Sequence, residues 1–208
     1  MRDGSKSIAW GELQVIVNPI IALGIAERRG RRRKHTMTHT GISAHEADWS
    51  REHKTAFFWC PSRSLLASIR TYQRHADSRN PFSLVTKKIA IVRHRFWSAV
   101  TGADIPINTR IEGGLLLPHP NGVVIHPEVR IGPNCLIFQQ VTFGTGKGGE
   151  NGGVPRIGGH VDIGAGAKIL GGITIGDHAL IGANAVVLTD VPAGKTAVGI
   201  PAVILDSN

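Results

Sequence analysis

The chain has 208 residues, 41% of them hydrophobic and 19% charged, with 26 Gly and 2 Cys. That length allows one core plus an appendage, and Cys60 and Cys135, without metal or redox spacing, exclude a disulfide scaffold and suit a reducing cytoplasm. The net charge of +9 is unevenly held: residues 1 to 103 carry 18 Lys/Arg against 7 Asp/Glu, whereas residues 104 to 208 carry 6 against 8.

Residues 1 to 45 read as a basic, flexible extension. Within it, residues 13 to 26 (LQVIVNPIIALGIA) form an apolar run interrupted by Asn18-Pro19, too short to cross a bilayer core of about 30 Å. The run does not read as a signal peptide, because ERRGRRRKH follows where a small-residue cleavage site belongs. The basic cluster suits weak contact with an acidic lipid surface, and a solvated extension accounts for it equally well. Met37 offers a second start, so residues 1 to 45 are expected to be dispensable for chemistry.

Residues 46 to 103 are expected to form a short helical region. SRSLLASIRTYQRHA (62 to 76) places Leu65, Ile69 and Tyr72 on one helical face, and FSLVTKKIAIVRHRFWSAVT (82 to 101) does the same for Leu84, Ile89, Val92 and Phe96. Asn80-Pro81 separates the two. Lys87, Lys88, Arg93 and Arg95 read as a solvated face, since no nucleic-acid reading module or aromatic stacking pattern accompanies them.

From residue 104 to 203 the pattern changes. Large aliphatics or Phe recur every six residues at Ile105, Ile111, Leu117, then Ile125, Ile131, Ile137, Phe143, and again at Ile157, Ile163, Ile169, Ile175, Ile181 and Val187. Period six fits neither the 3.6-residue helix nor a two-residue strand alternation, so it describes a repeating unit. Three short faces closing a triangular coil bring these side chains to one axis, and stacked coils share one core. The thirteen rungs predict a mainly β prism of four to five coils. Two steps break the period: eight residues from Leu117 to Ile125, around Pro118-His119-Pro120-Asn121-Gly122, and fourteen from Phe143 to Ile157, so residues 144 to 156 leave the prism as a loop. Repeat proteins place insertions on their binding face, which makes both breaks candidate site walls. Residues 204 to 208 form a short tail.

The ladder, the segment Leu117-Pro118-His119-Pro120-Asn121-Gly122, the runs FQQVTFGTGKGG and IGAGAKILGGITIG, and the ending VGIPAVI together resemble bacterial serine acetyltransferases of the hexapeptide-repeat superfamily. The resemblance spans about residues 98 to 203. It implies a left-handed parallel β-helix, acetyl-CoA as acetyl donor, no metal, and homotrimers with sites between adjacent prisms.

A hydroxyl attacking a thioester requires a base to take its proton as the bond forms. His119 stands where the family's catalytic His falls and Asp104, fifteen positions earlier, where its carboxylate partner falls. An Asp on one ring nitrogen sets the tautomer and leaves the other to accept the proton. Gly144, Thr145, Ala165 and Ala183 match positions where the family's donor runs close to the backbone. His126, His160 and His178 follow rungs by one to three places and are expected to be surface residues without metal spacing.

The departures concern the acceptor. Pro118 replaces the family's Asp before the catalytic His, and Gly153-Val154 replaces its Arg-His before Pro155; losing such groups weakens the hold on serine. The chain ends at Asn208, without the family's longer tail that docks into cysteine synthase, so that docking is not expected. The resulting reading is a cytoplasmic O-acetyltransferase with a slight lean to a sugar hydroxyl in polysaccharide biosynthesis. Its alternative is a serine O-acetyltransferase feeding cysteine biosynthesis, and a non-enzymatic trimeric scaffold is a weaker one. No nucleic-acid partner is expected.

Overall fold

The computed structural model describes residues 41–54, 59–146 and 152–205; residues 1 to 40 of the extension expected over 1 to 45, with the second start at Met37, and residues 147 to 151 of the loop expected over 144 to 156 lie outside them. A single 3-10 turn at Trp49–Glu52 precedes helices α1 (Pro61–Arg74) and α2 (Pro81–Thr101). Thirteen short strands follow: β1 (Arg110–Ile111), β2 (Val124–Ile125), β3 (Arg130–Ile131), β4 (Leu136–Ile137), β5 (Thr142–Gly144), β6 (Arg156–Ile157), β7 (Asp162–Ile163), β8 (Lys168–Leu170), β9 (Thr174–Ile175), β10 (Leu180–Ile181), β11 (Val186–Val187), β12 (Thr196–Gly199) and β13 (Ala202–Leu205).

The strands stack into three sheets. Face A runs β2-β5-β8-β11, face B runs β1-β3-β6-β9, and face C runs β4-β7-β10-β12-β13. All pairings are parallel except β12 with β13, which closes the C-terminal end as a hairpin. Register holds every rung above the next: Ile111, Ile131, Ile157 and Ile175 on face B, and Ile125, Phe143, Ile169 and Val187 on face A. All thirteen rungs are buried in one apolar cluster. Each buried aliphatic of this size contributes about 1.5–3 kcal/mol relative to exposure.

The column is longer than the period indicates. After Val187 the next inward residue comes four positions on, where Val191 bridges to Ile175, and Ala197 then pairs with Ile181. Both are buried, which completes a fifth coil. The short step and the small Ala hid these rungs from a six-residue search for large aliphatics.

Helix α1 begins on Pro61, which has no N–H to leave unbonded. It turns Leu65, Leu66 and Ile69 into the same cluster as Ala103, Ile105 and Leu115, and so covers the open first coil. Helix α2 is capped by Asn80, whose side chain accepts from the Phe82 N–H at 3.1 Å, and ends on Gly102 at φ 67°. Its orientation corrects the sequence expectation. The predicted apolar face, Leu84, Ile89, Val92 and Phe96, is exposed, and the helix buries Ser83, Ala90, His94 and Thr101 instead. Small and polar side chains let α2 approach closely, and His94 is satisfied there by donating from Nε2 to the Ile105 carbonyl at 2.8 Å; the apolar pattern could not report which face the neighbours would take. No described helix is long and apolar enough to cross a membrane.

A strap before the helices is tied to the prism through Asn134, which is fully buried. Its Nδ2 donates to the carbonyls of Ser43 (2.7 Å) and Glu46 (2.8 Å), while Oδ1 accepts from the Asp48 N–H (2.8 Å). Gly159 is required beneath it: a Cβ there would lie 1.8 Å from the Ala44 carbonyl oxygen.

Candidate active site

The break after Leu117 lies at the edge between faces C and A. Asp104 makes the first bridge of face A: it pairs in parallel with Val124, donating its N–H to Val123 (2.8 Å) and accepting from the Ile125 N–H (2.9 Å). Buried Ala103 and Ile105 flank it, so alternation sends the Asp104 side chain outward, where it is exposed. The turn at 118 to 122 is closed by the Val123 N–H donating to Pro120 (3.1 Å).

One bond sets that turn beside Asp104: the Gly122 N–H donates to the Gly102 carbonyl at 2.8 Å. Gly102 serves two purposes, ending α2 in the left-handed region and leaving room for the turn, since a Cβ there would meet Asn121 Nδ2 at 2.6 Å. His119 is thus carried, exposed, on the edge where Asp104 begins its strand. No hydrogen bond joins the two side chains.

Below His119 the corners form a vertical column. The Gln140 N–H donates to Asn121 (3.0 Å), the Gly166 N–H to Gln139 (2.9 Å), and the Asn184 N–H to Ala165 (2.8 Å). Ala165 and Ala183 therefore share the edge of His119, each presenting only a methyl group. Gly144 and Thr145 do not: Gly144 ends β5, opposite Leu170, at the other edge of face A where the loop departs. The predicted residues thus divide between the two edges of one face.

Gln139 was not singled out from the sequence. Its Oε1 is buried in this column without a hydrogen-bond partner, between the corner of Asn121 and that of Ala165. The available signal was the polar pair Gln139-Gln140 at a corner where the later coils use Ala165-Gly166 and Ala183-Asn184.

The expectation that His126, His160 and His178 are surface residues is corrected at His160, which is buried at 6% exposure. Its Nδ1 lies 2.8 Å from Nδ1 of His178, on the corner of the next coil. Stacking of corners, which the period does not express, covers the ring. The two nitrogens share one proton, one donating and the other accepting. Among the described residues no group of three or more His, Cys, Asp or Glu could hold a metal ion.

The family model for the bacterial transferase hexapeptide (six repeats) matches residues 155–189. The chain is 47% identical over 131 residues to a serine acetyltransferase of Helicobacter pylori strain J99, covering 62% of this chain and 72% of that protein. It is 52% identical over 102 residues to the serine acetyltransferase of a Synechocystis strain, covering 49% of this chain and 41% of that protein. The chain spans 42–43% of the length of curated relatives from Synechococcus elongatus and Arabidopsis thaliana. Among solved structures, a serine acetyltransferase in complex with CoA superposes with a TM-score of 0.58 at 32% identity, over 71% of this chain and 58% of that one. Soybean serine acetyltransferase complexed with serine gives 0.52 at 34% identity, over 68% and 70%. With its three stacked parallel sheets, the fold is a left-handed parallel β-helix preceded by helices, and the chain belongs to the serine acetyltransferase family of hexapeptide-repeat acyltransferases.

Proposed function

We propose that the chain is an acetyl-CoA-dependent serine O-acetyltransferase. The observation that carries this reading is the match to serine acetyltransferases, at 47% identity over 131 residues to one relative and over 71% of the chain to a solved structure in complex with CoA. It reverses the slight lean to a sugar acceptor: the relatives are named for serine, whereas no observation favours sugar beyond the missing clamp at Pro118 and Gly153-Val154.

In this mechanism the Asp104 carboxylate bonds one nitrogen of His119 and holds the tautomer whose other nitrogen is free to accept. That nitrogen takes the proton of the serine hydroxyl as its oxygen attacks the thioester carbonyl. Collapse of the tetrahedral adduct breaks the C–S bond, and the imidazolium returns the proton to the departing CoA sulfur. Gly144, Thr145, Ala165 and Ala183 keep the backbone accessible to the donor's pantetheine arm. Because these positions divide between two edges of one prism, a homotrimer in which one prism's C–A edge faces its neighbour's A–B edge unites them.

The test is thiol release from acetyl-CoA by purified protein supplied with L-serine or with candidate sugars. Turnover with serine, lowered about 10²–10⁴-fold in His119→Ala with the oligomer intact by light scattering, is the expected result. Turnover confined to sugars overturns the acceptor, and undiminished turnover in His119→Ala overturns the base.

A further inference from the structure

Beside its isoleucine rungs, face B carries a column of arginines. Arg110 is in register with Arg130, and Arg130 with Arg156. These are all the arginines of residues 104 to 208, and all three are exposed. Adjacent strands lie about 4.8 Å apart, and like charges set directly opposite one another are destabilising. Among the described residues none of the three makes an ion pair or a side-chain hydrogen bond.

The column forms one wall of a groove of about 810 Å³, closed on another side by Gly152, Gly153 and Val154. The N–H groups of those three consecutive residues donate no hydrogen bond among the described residues. Glu128 is the one acidic residue of the lining, and it forms no ion pair with the arginines. The wall therefore presents three guanidinium forks and three free backbone donors. Planar forks grip phosphate through paired bonds, and consecutive backbone N–H groups form concavities that hold anions. A groove of this volume is of small-molecule size. None of Asp104, His119, Gly144, Thr145, Ala165 or Ala183 lines it.

We propose that the face B groove binds a small anion bearing at least two phosphate groups, which bridge neighbouring guanidiniums across the coils. Within one prism the groove lies away from the edge that carries His119; it shares with the acceptor reading only Gly153 and Val154, which contribute backbone N–H groups here.

Isothermal titration of the full chain with inorganic pyrophosphate, at constant ionic strength, tests it without an activity readout. One saturable site per chain is expected, with orthophosphate binding more weakly. Arg130→Ala, at the centre of the column, weakens pyrophosphate at least about tenfold, the loss of a charge-assisted bond. Arg130→Lys, which keeps the charge and loses the fork, falls between. The thermal midpoint of Arg130→Ala stays at or above that of the parent, because a like-charge contact is relieved; if Arg130→Ala fails to fold, Arg156→Ala tests the same wall. Absence of saturable binding, or equal affinity in the folded alanine variants, overturns the proposal.

Discussion

Arg70 and Glu52 form a two-pronged ion pair in which Nη2 donates to Oε1 at 2.7 Å and Nε to Oε2 at 3.0 Å. With side chains 11% and 8% exposed, the pair is shielded from water, and its remaining valences are filled. Arg70 also donates to the Ile111 and Glu112 carbonyls and to Gln73 Oε1, and Glu52 Oε1 accepts from the Leu115 N–H at 3.0 Å. Helix α1 is thereby locked to the first coil.

Breaking that lock by removing one partner leaves a buried charge uncompensated. Glu52→Ala and Arg70→Ala are each expected to lower the unfolding free energy by about 3–5 kcal/mol, measured by urea denaturation. A loss below about 1 kcal/mol in either would show that the pair behaves as a surface salt bridge.

Asn134 holds φ 61° while tying three backbone groups of the strap. Asn134→Ala loses those bonds inside the fold, at a cost of about 3 kcal/mol or more. Asn134→Gly loses the same bonds and tolerates the left-handed backbone, so it is expected to be more stable than the Ala variant by about 1 kcal/mol. Both variants expose residues 43 to 48 to limited proteolysis; an unchanged cleavage pattern contradicts the tether.

His94 carries a pH dependence. Burial lowers its pKa below the ordinary value of 6.5, against the opposing pull of its bond to the Ile105 carbonyl. Above 6.5 the ring is neutral in both the folded and unfolded chain and the group has no effect on stability. As pH falls through 6.5 the unfolded chain takes up the proton first, so this group lowers stability progressively towards the depressed folded pKa. Denaturation series at stepped pH on the parent and on His94→Gln check this: the variant's stability should depend less on pH below 6.5, and parallel curves would remove His94 as the source.

Cys135 is fully buried, and its thiol is pushed up to about 12 chiefly by desolvation. The half-buried Cys60 is the accessible thiol. An aromatic disulfide reagent at mild alkaline pH is expected to titrate one thiol in the folded chain and two in denaturant. Two fast equivalents from the folded chain would mean that the first coils open readily.

The six-residue ladder, the two breaks that flank the candidate site, and the start and end of both helices are readable in the chain itself. Each is a local signal: whether a residue faces the axis is decided by its own coil, and Pro61, Asn80 and Gly102 act on the backbone where they stand. His119 was conspicuous for the same reason, as a polar group in an insertion. What only the tertiary structure decided is how one coil lies over another. That register sums every insertion between them, so it stacks Arg110, Arg130 and Arg156 across separations of twenty and twenty-six residues, brings His160 under His178, and places Ala165 and Ala183 below His119 while leaving Gly144 across face A. Helix α2 shows the same limit: hydrophobic periodicity marks an apolar face, but the shape of the neighbouring coil chose the small-residue face to bury.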